Sequence, residues 1–175
     1  VNVTKRPDKL VARIAVDSKY WMWINGELAV FEGGLKRGPF PNGTYYDKVD
    51  IAPFLKEGNN TIAILLWHFG KQGFSHNSSG QAALIFEAIS PELKILSDKS
   101  WLCVPNPAYS STDAPHPNYR LPESNIRFDA RKDMPGWNMP GFDVRGKMHG
   151  ADNVDEMAWP AMGELVERPI PMWKD

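Results

Sequence analysis

Asp17-Ser18-Lys19-Tyr20-Trp21-Met22-Trp23-Ile24-Asn25-Gly26, and further on Asp50-Ile51, Leu55 and Gly58-Asn59-Asn60-Thr61-Ile62-Ala63-Ile64, decide the fold. Tyr20 to Ile24 alternates, with Tyr20, Met22 and Ile24 on one face and Trp21 and Trp23 on the other. Both faces are apolar, which predicts a strand covered on both sides. Asn25-Gly26 ends it, and both residue types tolerate positive φ, so a tight hairpin follows with Leu28 to Phe31 as the returning strand. Asp50 to Leu55 reads as one helical turn, with Asp50 capping its free N–H groups and Gly58 closing it. Thr61 to Trp67 is then expected as a buried central strand.

Outward from this stretch the same grammar continues. Val11 to Val16, Thr44 to Val49, Gln81 to Ile89, Leu93 to Leu96 and Ser100 to Val104 have strand length and pattern, with a hairpin turned at Ser90-Pro91. Gly33 to Gly43 and Phe69 to Gly80 read as loops. From 105 to 141 prolines recur at 105, 107, 115, 117, 122, 135 and 140, a density that opposes helix and central strand alike. Met148 to Trp159 is the one late stretch with helical character, and Leu165 to Trp173 reads as an extended exit. Many short strands with Gly/Pro turns and scarce helix imply an all-β fold, an antiparallel β-sandwich of jelly-roll form with a long irregular Pro-rich segment. A single module over 1–168, with an exit linker over 169–175, is the expected domain organisation.

Composition narrows the function classes. The chain has 175 residues and a formal net charge of −1, without the basic excess of a general nucleic-acid binder. No apolar run approaches the roughly 20 residues a bilayer span needs, so neither nucleic acid nor membrane is an expected partner. Cys103 is the single cysteine, which rules out an internal disulfide, and its apolar neighbours predict a buried structural thiol. Seven Trp exceed what one binding site uses, so most are expected in the core. Asn2-Val3-Thr4, Asn42-Gly43-Thr44 and Asn77-Ser78-Ser79 match the glycosylation sequon, a motif that chance supplies often.

The aromatic strand ending in Asn25-Gly26, the Asp50-Ile51…Leu55…Gly58-Asn59 turn and the apolar strand after it resemble the galactose-binding-like jelly rolls that accompany glycoside hydrolases. Later stretches add to this: Trp67-His68-Phe69-Gly70-Lys71, Ser97-Asp98-Lys99-Ser100-Trp101, and Glu123…Asp129-Ala130-Arg131…Gly136-Trp137, with Phe128 where the pattern has Tyr. Glu167-Arg168-Pro169-Ile170-Pro171 is similar to a join to a following module. Taken together the chain resembles the N-terminal module of bacterial α-L-rhamnosidases, glycoside hydrolase family 78. The resemblance implies an enzyme as parent, hydrolysing terminal α-L-rhamnosyl linkages in a helical (α/α)6 barrel that carries the acid and base glutamates. It implies a periplasmic or secreted location. This chain has no helical repeat, so it implies no catalytic residue here and makes the missing catalytic module the main partner.

Glycosidases need two carboxylates across the scissile bond. Glu123, Asp129 and Asp133 lie beside Arg127 and Arg131, and ion pairing that pins the Pro-rich segment to the sandwich is the better reading. His68, His76, His116 and His149 form no ligand motif, so no metal site is expected. Calcium is the alternative cofactor, through Asp152, Asn153 and Asp155, but the closing pattern of a calcium loop is missing and solvated surface fits better. Sugars bind by stacking C–H faces on aromatics, with planar polar groups fixing the hydroxyls. Trp67, His68, Lys71, Phe74, Ser75 and His76 at the end of the Thr61–Trp67 strand, joined by Asn118, Tyr119 and Arg120, are the candidate carbohydrate site for a rhamnose-containing ligand. Trp137, Trp159 and Trp173 are candidates for an interface exposed by removal from the parent. Two functions follow: an accessory module of a rhamnosidase-like hydrolase, or a free-standing lectin-like sugar binder.

Overall fold

The computed structural model describes residues 1–34, 43–70, 77–113, 125–147, 149–150 and 163–173. In chain order the strands are β1 (Asn2–Val3), β2 (Val11–Asp17), β3 (Lys19–Ile24), β4 (Glu27–Gly34), β5 (Gly43–Asp50), β6 (Gly58–Asn59), β7 (Ile62–Trp67), β8 (Ala83–Ile89), β9 (Lys94–Leu96), β10 (Leu102–Cys103), β11 (Tyr109–Ser111), β12 (Ile126–Phe128), β13 (His149–Gly150) and β14 (Glu164–Glu167). Eight of them form two sheets, one ordered β14-β5-β2-β8-β9 and the other β4-β3-β7. Eight strands in two sheets is the jelly-roll number. Every pairing in the two sheets is antiparallel except β14 with β5, which is parallel.

The core lies between the two sheets. Ile14 and Val16 of β2 and Phe86 of β8 meet Tyr20, Met22 and Ile24 of β3, all buried. The alternation of β3 is the one the sequence predicts: its even positions are buried and its odd positions, Trp21 and Trp23, are half-buried on the outer face. Among the described residues the expected second cover is therefore partial. A single residue, Ser18, separates β2 from β3, so the chain turns from one sheet into the other at Asp17–Ser18, a cis peptide.

The hairpin after β3 forms as expected. Asn25 and Gly26 have φ of 55° and 87°, the two successive positive values of a type I′ turn. The helical turn is shorter than expected, a 3-10 turn over Ala52–Phe54 preceded by Ile51. Asp50 does less than cap it alone: its Oδ1 accepts from the Ala52 N–H at 3.2 Å and from the Leu10 N–H at 3.0 Å. Gly58 does not close it, because the Leu55 N–H already meets the Ala52 carbonyl, and Gly58 opens β6.

Four further expectations are corrected. Among the described residues β7 is an edge strand and β3 is the central one, since strand order is set by pairing partners far apart in sequence. The Pro-rich segment contains a two-stranded ribbon, β11 with β12, fitted between the prolines. The start of the late helical stretch is strand, His149–Gly150 paired with β10, and the remainder lies outside the described residues. Cys103 is exposed, because β10 is a two-residue strand outside both sheets, with Leu102 beside it also exposed.

Candidate functional site

The end of β7 carries two different surfaces, one on each side of the backbone. Lys19 lies opposite Trp67 and Trp21 opposite Leu65, so these four share the outer face of the sheet. The Trp21 and Trp67 rings stack with centroids 6.5 Å apart and planes 19° apart, and Phe69 meets Trp67 edge-on at 4.8 Å. Lys19 Nζ reaches Glu32 Oε1 at 3.1 Å on the same face. Further along the face, Trp137 packs edge-on against Trp23 at 5.3 Å. This covers part of the sheet and corrects the reading of Trp137 as bare interface. Trp173 is exposed as expected, at 64 %; Trp159 lies outside the described residues.

On the inner side His68 turns to the sandwich corner. Its Nδ1 lies 3.6 Å from Asp17 Oδ1 and, buried, has no hydrogen-bond partner among the described residues. Asp17 is fully buried and heavily hydrogen-bonded. Oδ1 accepts from the Ser18 hydroxyl at 2.6 Å; Oδ2 accepts from the Ser79 N–H at 2.5 Å, the Ser79 hydroxyl at 2.7 Å and the Ser78 hydroxyl at 3.3 Å. Burial alone would raise this carboxyl, but the Ser18 and Ser79 hydrogen bonds and the nearby His68 outweigh it and hold Asp17 below its ordinary value. The Ser18 hydroxyl also accepts the Phe69 N–H at 3.1 Å, and the Ser18 N–H donates to the Trp67 carbonyl at 3.1 Å. One buried acid thus ties the β2–β3 corner to the chain segments on either side of residues 71–76.

Of the residues expected at a sugar site, the structure places Trp67 and His68 at the end of β7 but on opposite sides of it. Lys71, Phe74, Ser75, His76, Asn118, Tyr119 and Arg120 lie outside the described residues. The sequence reading missed Asp17, Lys19, Trp21, Glu32 and Ser79. Asp17-Ser18 between two apolar runs was the available signal, because a polar pair there must sit at a corner. In the Pro-rich segment Asp129 pairs with Arg131 and Arg127 with Asp113, so the ion pairs are local and do not reach the sandwich. The hydrogen bond from Arg131 is the main cause that lowers the Asp129 carboxyl. Glu123, His116 and the Asp152-Asn153-Asp155 stretch lie outside the described residues. Among the described residues no group of three or more His, Cys, Asp or Glu is placed to hold a metal ion. No helix among them is long and apolar enough to cross a membrane.

No family model and no curated protein sequence matches the chain. Solved structures do. A GH78 family rhamnosidase of Bacillus sp. GL1 superposes with a TM-score of 0.74 at 24 % identity, over 98 % of this chain and 17 % of that one. An α-L-rhamnosidase from Dictyoglumus thermophilum gives 0.66 at 20 % identity, over 98 % and 18 %. A Streptomyces avermitilis α-L-rhamnosidase complexed with L-rhamnose gives 0.63 at 24 % identity, over 86 % and 15 %. The chain has the fold of one segment of these rhamnosidases. It spans less than a fifth of their length. The turn elements noted in the sequence have structural work to do in this fold. In Ser97 to Trp101, for example, Asp98 Oδ1 accepts from both the N–H and the hydroxyl of Ser100, and Trp101 lands against Phe86 at 5.4 Å with its Nε1–H on the Leu96 carbonyl.

Proposed function

We propose that this chain is a non-catalytic accessory module of an α-L-rhamnosidase-like glycoside hydrolase, bracing the catalytic part of a longer polypeptide and holding carbohydrate near it. One observation carries the reading: the fold accounts for 98 % of this chain but 17 % of the Bacillus rhamnosidase. Hydrolysis needs a carboxylic acid whose pKa is raised, opposite a second carboxylate. The hydrogen bond from Arg131 holds Asp129 below its ordinary value, so it is not the raised acid of such a pair. It is a paired carboxylate, suited to structure. The parent would act on terminal α-L-rhamnosyl linkages in the periplasm or the medium.

An assay of the chain on aryl α-L-rhamnosides tests the absence of catalysis. Turnover no faster than buffer is expected, with Asp129→Asn unchanged; turnover that Asp129→Asn abolishes would overturn it. The parent is tested on the gene, which should carry the reading frame into a long helical region. A frame encoding no such region supports the free-standing lectin instead.

A further inference from the structure

We propose that Met139 is a reversible oxidation site, and that its thioether is the catch of a redox-sensitive clasp closing residues 134–139 over the β3–β4 hairpin. The oxidant is a hydroperoxide, and the reaction is sulfoxidation at Sδ. Neither the clasp nor its chemistry depends on the parent enzyme proposed above.

Gly26 turns the hairpin at φ 87°, a conformation that favours glycine. The position also needs glycine for space, because a side chain there would collide with Met139 Sδ. The thioether therefore sits in a hollow that the missing Cβ leaves open. Just before the turn Trp23 lies on the outer face of β3, and Trp137 meets it edge-on with centroids 5.3 Å apart. Two tight turns bring Trp137 and Met139 to the hairpin together. The Trp137 N–H donates to the Met134 carbonyl at 3.1 Å, and the Met139 N–H donates to the Gly136 carbonyl at 2.9 Å. One short segment thus carries both contacts, so losing one weakens the other.

Met139 is 48 % exposed, whereas Met22 is fully buried and Met134 and Met172 are half-buried. A hydroperoxide therefore meets Met139 before the other described methionines. A lone pair on Sδ takes the terminal peroxide oxygen, the O–O bond breaks, and water or an alcohol leaves. The sulfur gives up two electrons and the peroxide takes them. A sulfoxide is polar and is better solvated by water than by the apolar hollow beside Gly26, so the oxidised side chain swings out. Trp137 then loses its neighbour's hold, and Trp23 is uncovered as apolar surface that the reduced chain keeps closed. Methionine sulfoxide reductases restore the thioether, so the clasp can close again.

The test is treatment of the 175-residue chain with dilute hydrogen peroxide, followed by peptide mass mapping and by amide exchange. Met139 should oxidise well before Met22. Amide exchange over 134–139 should then rise about ten-fold, the worth of one lost aromatic pair, while β2 and β8 keep their protection. Met139→Leu keeps the apolar fill without an oxidisable sulfur. Its exchange should match the wild type before peroxide and stay unchanged after it. Met139→Gln, which puts a polar group at the same place, should loosen the segment with no peroxide at all. A methionine sulfoxide reductase with a thiol reductant should return the oxidised wild type to slow exchange. Met139 oxidised no sooner than Met22 in the folded chain overturns the site. A Met139 sulfoxide that leaves 134–139 as protected as before overturns the clasp. The same loosening in peroxide-treated Met139→Leu assigns the effect to another methionine and overturns both.

Discussion

Asp17 shows how much one side chain can organise. It is a fully buried carboxylate, yet it stays charged, because Ser18, Ser78 and Ser79 supply the donors that water would otherwise supply. Asp17→Ala removes the acceptor of four hydrogen bonds and should cost about 1.5–3 kcal/mol, the range for hydrogen bonds to a charged group, measured by urea unfolding. The pH dependence has a definite sign. The folded carboxyl lies below its ordinary value of 3.8, so its contribution is fully present above that value and is lost as pH falls through the lower folded value. The stability gap between the wild type and Asp17→Asn should therefore stay constant from neutrality down to about pH 4 and narrow below it. A gap that instead widened in acid would sink this account. At this scale legibility was uneven. The burial of Met22 and Ile24 follows from simple alternation. The exposure of Cys103 does not, because an apolar tetrapeptide says nothing of whether its strand lies within a sheet or outside both.

Between elements, two asparagines fasten the hairpin to the turn before β7. Asn25 Nδ2 donates to Asn60 Oδ1 at 2.8 Å and to the Phe54 carbonyl at 3.1 Å, while Asn25 Oδ1 accepts the Thr61 N–H at 3.0 Å. Asn60 in turn holds the Lys56–Gly58 backbone through Nδ2 and takes the Lys56 N–H on Oδ1. This lock is the physical content of the paired Asn-Gly and Gly-Asn-Asn signatures. Each closes the other's open backbone groups. Asn60 is nearly fully buried, so Asn60→Ala strands several donors and acceptors at once and should cost about 2–4 kcal/mol. Asn59→Ala, on the exposed neighbour, should stay within about 0.5 kcal/mol. Similar losses for the two variants in parallel urea titrations would contradict the lock. The hairpin and the turn were readable because their chemistry is local. The edge position of β7 and the β11–β12 ribbon were not, since both depend on partners that the sequence does not place side by side.

For the whole molecule, the decisive link is the one that ties the last strand to the core. β14 runs parallel to β5, a pairing that no short-range pattern announces, and Arg168 follows directly after it. Arg168 donates to Asp47 Oδ1 at 3.2 Å and to the Gly34 carbonyl at 3.4 Å, and Asp47 Oδ2 accepts from the Tyr20 hydroxyl at 3.0 Å and the Gly34 N–H at 2.7 Å. Gly34 can take part because it adopts φ 80° and because a side chain there would run into Val16 and the Ser18 carbonyl. Burial, and then the adjacent Asp47 charge, push the Tyr20 hydroxyl well above its ordinary value. Both members of the Arg168–Asp47 pair are almost entirely removed from water. Losing Arg168 leaves Asp47 as a buried charge without its cation, a change that costs about 3–5 kcal/mol. Losing the Tyr20 hydroxyl removes one donor of several and should cost about 1–2 kcal/mol. Arg168→Met, which keeps most of the apolar stem, should therefore destabilise the chain more than Tyr20→Phe. It should also collapse amide-exchange protection in Glu164–Glu167 while β3 and β8 lose protection only as far as global stability falls. Equal protection of β14 in the wild type and Arg168→Met would mean that the parallel ladder alone holds the strand. The selective loss would mean that one guanidinium, more than the parallel ladder, fixes the last strand to the core.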